Sequence, residues 1–289
     1  MSEIIDKLSS SLLIRGDERH AYRDPAILEK DGVIHLWCTL AETEPGENAP
    51  YMYVVHMKSP DLVHWSSPEK LTVRDRAKNF SSPGNVIECG GWYIMCLQTY
   101  CRENGEKFGN SNSRIYTMKS RDLEHWSNPE PILVKGNLPL SECGRMIDPY
   151  IVEKDGVWNC FFKQDGRVCR SVSHDLMHWE YMGDCTGGEN PCIVKSDRKY
   201  YLISSPDNGL DVSVSENLEG WQKIGHLTFG QETWNWAKGR LTAGAAIKVG
   251  KLWLMFFHGT GPEGEQVIFD THACIGVAWS RDLIHWEWK

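Results

Sequence analysis

The sequence predicts an all-β protein, a single five-bladed β-propeller spanning residues 1–289 with four antiparallel strands in each blade. Two observations carry that prediction. A Ser-x-Asp-Leu-x-His-Trp heptapeptide occurs at 59–65, 120–126, 173–179 and 280–286, with a degenerate copy, SENLEGW, at 215–221. Upstream of each copy lies a strand–turn–strand segment, such as DPAILEKDGVIHLWCTL from Asp24 and DPYIVEKDGVWNCFFKQ from Asp148. Self-similarity at a fixed spacing marks a repeat architecture. Units of four short strands close into a propeller, whereas a two-sheet sandwich has no reason to repeat so closely.

Each unit reads in the same order. The first two strands meet at a tight turn whose Asp-Gly or Gly residues accept positive φ, as hairpin turns demand. An alternating segment follows (YMYVVHMKS, RIYTMKS, VCRSVS, LDVSVS, ACIGVAWS), the period-2 mark of a strand. The heptapeptide then turns the chain, its Asp accepting backbone bonds while Leu and Trp anchor the return strand. The only helical signal is weak and confined to residues 3–13.

Composition narrows the function classes. The chain has 289 residues, 41% hydrophobic and 24% charged, enough to bury a core without disulfide or metal staples. Its net charge of −8, with no basic block, argues against nucleic-acid binding, which rests on clustered cations. No apolar run approaches the ~20 residues of a membrane span. Acids stand near the N-terminus where a secretory signal carries bases, so a cytoplasmic protein is expected. The ten cysteines show no metal-ligand spacing; Cys38, Cys96, Cys160 and Cys274 lie in apolar runs and read as reduced core residues. Neither metal nor cofactor is expected. A Gly-x-Gly-x-x-Gly string at 259–264 is interrupted by Pro262 and no helix follows, so it is no dinucleotide site.

The topology sorts residues by face. The heptapeptide turns join third to fourth strands, so His64, His125, His178 and His285 belong to the face away from the strand openings and read as scaffold. The openings surround the centre of the other face: Arg23-Asp24-Pro25, Ser81-Ser82-Pro83, Ile147-Asp148-Pro149, Glu189-Asn190-Pro191 and Thr242-Ala243-Gly244. Three of the five carry one acid each. Carboxylates converging on one cavity repel each other and lose solvation, a cost usually kept only at a working site.

Those openings resemble the acid triad of glycoside hydrolase family 43 and its five-bladed relatives, along nearly the whole chain. The resemblance implies Asp24 as general base, Asp148 as the residue that orients the acid and raises its pKa, and Glu189 as general acid. The residues read the same way: Asp148 as a like-charged neighbour would raise Glu189, and Arg23 would help keep Asp24 ionised. Two departures stand out. The family often has Glu-Gly-Pro where this chain has Glu189-Asn190-Pro191. Many members also carry a blade-five His associated with an ion, where this chain has Thr242-Ala243-Gly244, so a structural calcium is unsupported.

Arg23, Phe80, Ser82, Arg145, Gln164, Trp234, Trp236, Arg240 and His258 are the candidate substrate contacts. Long connections at 41–50, 101–113 and 259–272 should raise one wall of the pocket, favouring chain ends or side branches. The expected activity is an inverting, exo-acting glycosidase on an oligosaccharide or small glycoside, with α-L-arabinofuranosides or β-D-xylosides implied by the resemblance. The alternatives are a retaining fructosidase-like hydrolase, with Asp24 as nucleophile, and a non-catalytic sugar-binding propeller.

Overall fold

A computed structural model describes residues 4–262 and 270–289. It contains five antiparallel sheets, each a blade. Blade one comprises β2 (His20–Lys30), β3 (Val33–Glu42), β4 (Tyr51–Ser59) and β5 (Glu69–Lys70). Blade two comprises β6 (Phe80–Cys89), β7 (Trp92–Thr99), β8 (Ile115–Ser120) and β9 (Glu130–Pro131). Blade three has β10 (Ile147–Lys154), β11 (Val157–Gln164), β12 (Arg167–Ser173) and β13 (Glu180–Gly187). Blade four has β14 (Glu189–Ser196), β15 (Lys199–Ser205), β16 (Leu210–Ser215) and β17 (Gln222–Leu227).

Blade five departs from the sequence reading. Its inner strands are β18 (Arg240–Val249), β19 (Leu252–Thr260) and β20 (Cys274–Ser280), but its outer edge is shared by two pieces. The C-terminal β21 (Trp286–Glu287) pairs with the end of β20, and β1 (Leu12–Ile14) pairs with its beginning. Among the described residues, the weak helical signal at 3–13 yields no α-helix. Its place is taken by a short 3-10 turn at Ile4–Lys7, which buries Ile5, and then by the start of β1. Ser11 ties the ends together: its N–H donates to Lys289 O at 3.0 Å and its Oγ accepts the Lys289 N–H at 2.9 Å. Pairing both termini in one blade removes the exposed edge that an incomplete sheet would leave.

Apolar side chains pack between neighbouring blades. Leu36 and Val55 meet Leu254, Phe256 and Val277 where blade one meets blade five, and Trp37 and Val54 meet Met95 and Met118 where blade one meets blade two. Cys38, Cys96, Cys160 and Cys274 are buried free thiols in these layers, as their apolar surroundings predict. Among the described residues no helix is long and apolar enough to cross a membrane.

The hairpin and heptapeptide turns follow their chemistry. Asp31-Gly32 and Asp155-Gly156 take positive φ at both central residues (52° and 79° in each), the turn that matches strand twist. In every heptapeptide copy the Leu also has positive φ, between 63° and 71°. Such a backbone is strained for a branched residue, and the turn holds it by bonding on both sides. Ser120 Oγ accepts the N–H groups of Asp122 and Leu123, Asp122 Oδ1 accepts those of Glu124 and His125, and Trp126 Nε1 donates to Leu123 O. The four His side chains of these turns are exposed, each against the Asp three residues before it, as scaffold. In the degenerate copy the Trp221 Nε1 is buried without a partner.

Ser280→Ala should remove the acceptor of the Asp282 and Leu283 N–H groups, of which only Leu283 belongs to a buried residue, and lower stability by about 1 kcal/mol. Urea unfolding of wild type and variant measures this, and equal midpoints would contradict it.

Candidate functional site

The strand openings are built around one bulge, repeated five times. In each inner strand the pairing register slips at the opening: between Arg23 and Ala26, Ser81 and Asn85, Ile147 and Tyr150, Glu189 and Cys192, and Thr242 and Ala245. The bulged residue has positive φ in every blade: Asp24 52°, Ser82 41°, Asp148 53°, Asn190 47° and Ala243 54°. Pro follows in four blades, where an unpaired bulge needs no N–H. Non-glycine residues forced into this region cost free energy and collect at functional sites.

Asp24 and Asp148 share the bulge position, and the blade-four residue at that position is Asn190, in the register of the aligned openings. Glu189 stands one residue earlier, level with Arg23, Ser81, Ile147 and Thr242. The three acids occupy two adjacent levels of the ring.

A third level lies on the second strands. Thr39, Gln98, Lys163, Ser205 and His258 are paired with those five residues before the bulge. Four of them accept a hydrogen bond from the bulge N–H of the next blade. Thr39 Oγ1 accepts Ser82 N–H at 2.8 Å, Gln98 Oε1 accepts Asp148 N–H, Ser205 Oγ accepts Ala243 N–H at 2.8 Å, and His258 Nδ1 accepts Asp24 N–H at 3.2 Å. Between blades three and four the belt is broken, because Lys163 has no acceptor to offer. The Asn190 N–H turns to Asp148 Oδ2 at 3.4 Å, and the Lys163 ammonium pairs with Glu189 Oε2. Asp148 and Glu189 sit at this break.

The acids open into a cavity of about 750 Å³ at the propeller centre, within the range of small-molecule sites. Of the expected residues, Asp24, Asp148, Glu189, Arg23, Ser82, Arg145, Arg240 and His258 line it. Four expectations are overturned. Phe80 is buried in the core, edge-on to Tyr116. Gln164 points away and donates to Cys143 O at 2.7 Å. Trp234 and Trp236 stack on each other, ring centres 5.0 Å apart, and on Phe257, so they fill blade five and are not a sugar platform. Conversely Lys163, Gln98, Tyr100 and Phe108 line the cavity and were not anticipated. Period-2 alternation from the strand openings would have chosen Gln98 and Lys163, since both are paired with opening residues.

Phe108 comes from the long 101–113 connection, whereas the short turns of blades three and four contribute Gly166, Pro206 and Asp207. Buried Arg102 reaches across to Asp270 at 2.9 Å, joining two of the long connections. Residues 263–269, which complete the 259–272 connection and the Gly-x-Gly-x-x-Gly string, lie outside the described residues.

The charge arrangement is the reverse of the sequence expectation. Burial alone would raise Glu189, but Lys163 and Arg240, whose Nη2 donates to Glu189 Oε1 at 2.6 Å, outweigh it and hold this carboxyl below its ordinary value. Sequence could not display this clamp, because its cations are 26 and 51 residues away in the chain. Asp148 goes the other way. Burial, and then the charge of Glu189, push it up to about 7, with Lys163 opposing. Asp24 Oδ2 accepts from Thr39 Oγ1 at 2.9 Å, and Arg23 Nη2 reaches Met52 Sδ at 3.9 Å. Burial pushes His258 down to about 3 against the pull of Asp24, so it is neutral with Nδ1 as acceptor.

Below the acids a void of about 30 Å³ on the axis is bounded by Asp24, Asp148, Asn190 and Ala243, among others, room for an ordered water. The blade-five opening itself supplies no imidazole; the blade-five imidazole on this face is His258 of β19, whose Nδ1 accepts the Asp24 N–H.

A five-bladed propeller with an acid-floored central cavity is the class that fold and site together define. No protein-family model matches the chain, and no curated protein matches it in sequence. Solved structures do share the fold. An α-L-arabinofuranosidase from Podospora anserina, in complex with cellotriose, superposes with a TM-score of 0.70 at 13% identity, covering 93% of this chain and 95% of its own. The catalytic domain of a Coprinopsis cinerea family 62 α-L-arabinofuranosidase gives 0.69 at 12% identity over 93% and 97%. An exo-1,5-α-L-arabinanase from a bovine ruminal metagenomic library gives 0.63 at 14% over 96% and 98%.

Because Asp148 is raised in the folded protein, its cost to stability is absent below the unfolded value near 3.8 and builds as pH rises through its folded value. Asp148→Asn should therefore gain stability relative to wild type by on the order of 2 kcal/mol more at pH 8 than at pH 5. Urea unfolding at the two pH values measures the difference, and a gain independent of pH would contradict it.

Proposed function

We propose that the chain is a glycoside hydrolase acting through Asp24, Asp148 and Glu189. The observation that carries this reading is the convergence of three carboxyls on one cavity with their protonation driven apart, Asp148 up and Glu189 down. Acid–base cleavage of a glycoside needs one ionised and one protonated carboxyl facing the same bond. The fold shared with arabinofuranosidases and an arabinanase supports the same class.

In this proposal Asp24 is the base that draws a proton from water. Asp148 and Glu189 titrate as a coupled pair and hold one proton between them. In the free protein that proton rests on Asp148, the deeper of the two. Glu189 is the more exposed to the cavity and meets the leaving oxygen. A sugar whose hydroxyls draw Lys163 or Arg240 away removes the clamp on Glu189, and the shared proton moves to it. Inversion, exo action and a preference for α-L-arabinofuranosides or β-D-xylosides complete the proposal. A wall raised by the 101–113 connection on one side and low turns on the other suits a chain end.

The test is a set of aryl arabinofuranosides and xylosides with good and poor leaving groups. Glu189→Gln should lose about 10²–10⁴-fold on poor leaving groups and far less on a dinitrophenolate, which needs no proton. Asp24→Asn should lose activity on both. Equal losses for Glu189→Gln across the series would remove its role as acid. Product of retained configuration by NMR would instead make Asp24 a nucleophile. Sugar binding with no turnover above the Glu189→Gln background would make the protein a binding propeller.

A further inference from the structure

On the outer part of the contact between blades one and two, well away from the cavity residues, three side chains present metal-ligating atoms to one another. A ring nitrogen of His56 on β4, a carboxylate oxygen of Glu69 on β5 and one of Glu124 in the blade-two heptapeptide turn all lie within 4.8 Å. His56 is 2% exposed, an unusual place for an imidazole. It is fixed from two sides. Its Nε2 shares a hydrogen bond with His35 Nδ1 at 3.0 Å, and its ring stacks on Trp37 with centroids 4.8 Å apart. That leaves Nδ1 as the ligating nitrogen, with the other ring nitrogen held by an outer partner, the arrangement metal-binding histidines show. Burial pushes His56 down to about 4, so it is neutral and has a lone pair at physiological pH.

We propose that His56, Glu69 and Glu124 bind a divalent transition cation, zinc by preference, that staples blade one to blade two. One imidazole and two carboxylates leave an open position for water on a four-coordinate ion. The nitrogen donor argues against calcium and magnesium, which favour all-oxygen sites. Ligands at ~2.1 Å around a tetrahedral ion sit ~3.4 Å apart, so the trio must contract by at most ~1.4 Å. Glu69 is exposed on a two-residue edge strand and can close that gap by rotamer change. Lys58 competes with the ion: its Nζ donates to both oxygens of Glu124 at 2.7 and 2.8 Å. Two carboxylates against one ammonium still leave the trio net negative.

The experiment uses the full chain without an affinity tag, freed of metal by a chelator and titrated with Co²⁺ by visible absorption and with Zn²⁺ by calorimetry. Expected are one ion per chain with a tetrahedral cobalt spectrum, binding weakened at least about tenfold in Glu69→Gln, and binding tightened in Lys58→Met. Zn²⁺ should also raise the thermal midpoint of wild type and leave that of Glu69→Gln unmoved. Absence of saturable binding, or a site of equal affinity in Glu69→Gln, would overturn the proposal. Glu69 is exposed at an edge, so its variant keeps the fold even where His56→Gln does not.

Discussion

The bond from the second strand to the bulge of the next inner strand, made at four of the five blade junctions, is the constraint around which this propeller is organised. It joins blades through a backbone donor and a side-chain acceptor at the axis, where strands converge and packing leaves least room. At Gly84 an added Cβ would stand 1.5 Å from Pro149 O, so neighbouring backbones are in contact there. The same bonds hold Asp24, Ser82, Asp148 and Ala243 in a backbone region that non-glycine residues would otherwise avoid. Every side chain at the centre is aimed by this belt. Where Lys163 takes an acceptor's place, the freed N–H turns to Asp148 and the freed ammonium to Glu189.

Legibility of the molecule in its sequence followed the range of the interaction involved. Strand order, hairpins and heptapeptide turns are local, decided by alternation, Asp-Gly pairs and a Ser and Asp a few residues from the N–H groups they accept, and these were readable. Both Asp-Pro openings were readable because Pro marks the bulge. What was hidden depends on contacts across the ring. Nothing local shows that the N-terminal segment completes blade five, since β1 meets its partner more than 250 residues away. Trp234 and Trp236 stood outside the strand template, which made them look like ligand platforms, yet the room beside Gly230 takes Trp234 and that beside Gly259 and Gly276 takes Trp236. Gln164 was chosen because it ends β11, but the cavity-facing residue is its neighbour Lys163, paired with Ile147, and adjacent strand residues point to opposite faces.

The electrostatics of the centre illustrate how burial and pairing compete. Glu189 and Asp148 lose water together, and desolvation is the first influence on both. Only Glu189 receives two direct cation contacts, so it stays charged and its charge burdens Asp148. A single asymmetry in partners separates two otherwise similar groups, holding one carboxyl charged and raising the other.

The break in the belt also bears on how such a molecule changes over time. A propeller of repeated blades is most regular when every second strand offers an acceptor at the belt position, and a Gln at residue 163 would restore the missing link. It would also release Glu189 from one cation and return Asn190 to the pattern of its four counterparts. Drift towards fivefold symmetry would thus favour a firmer scaffold at the expense of the charge separation at its centre, with both effects lodged in one residue.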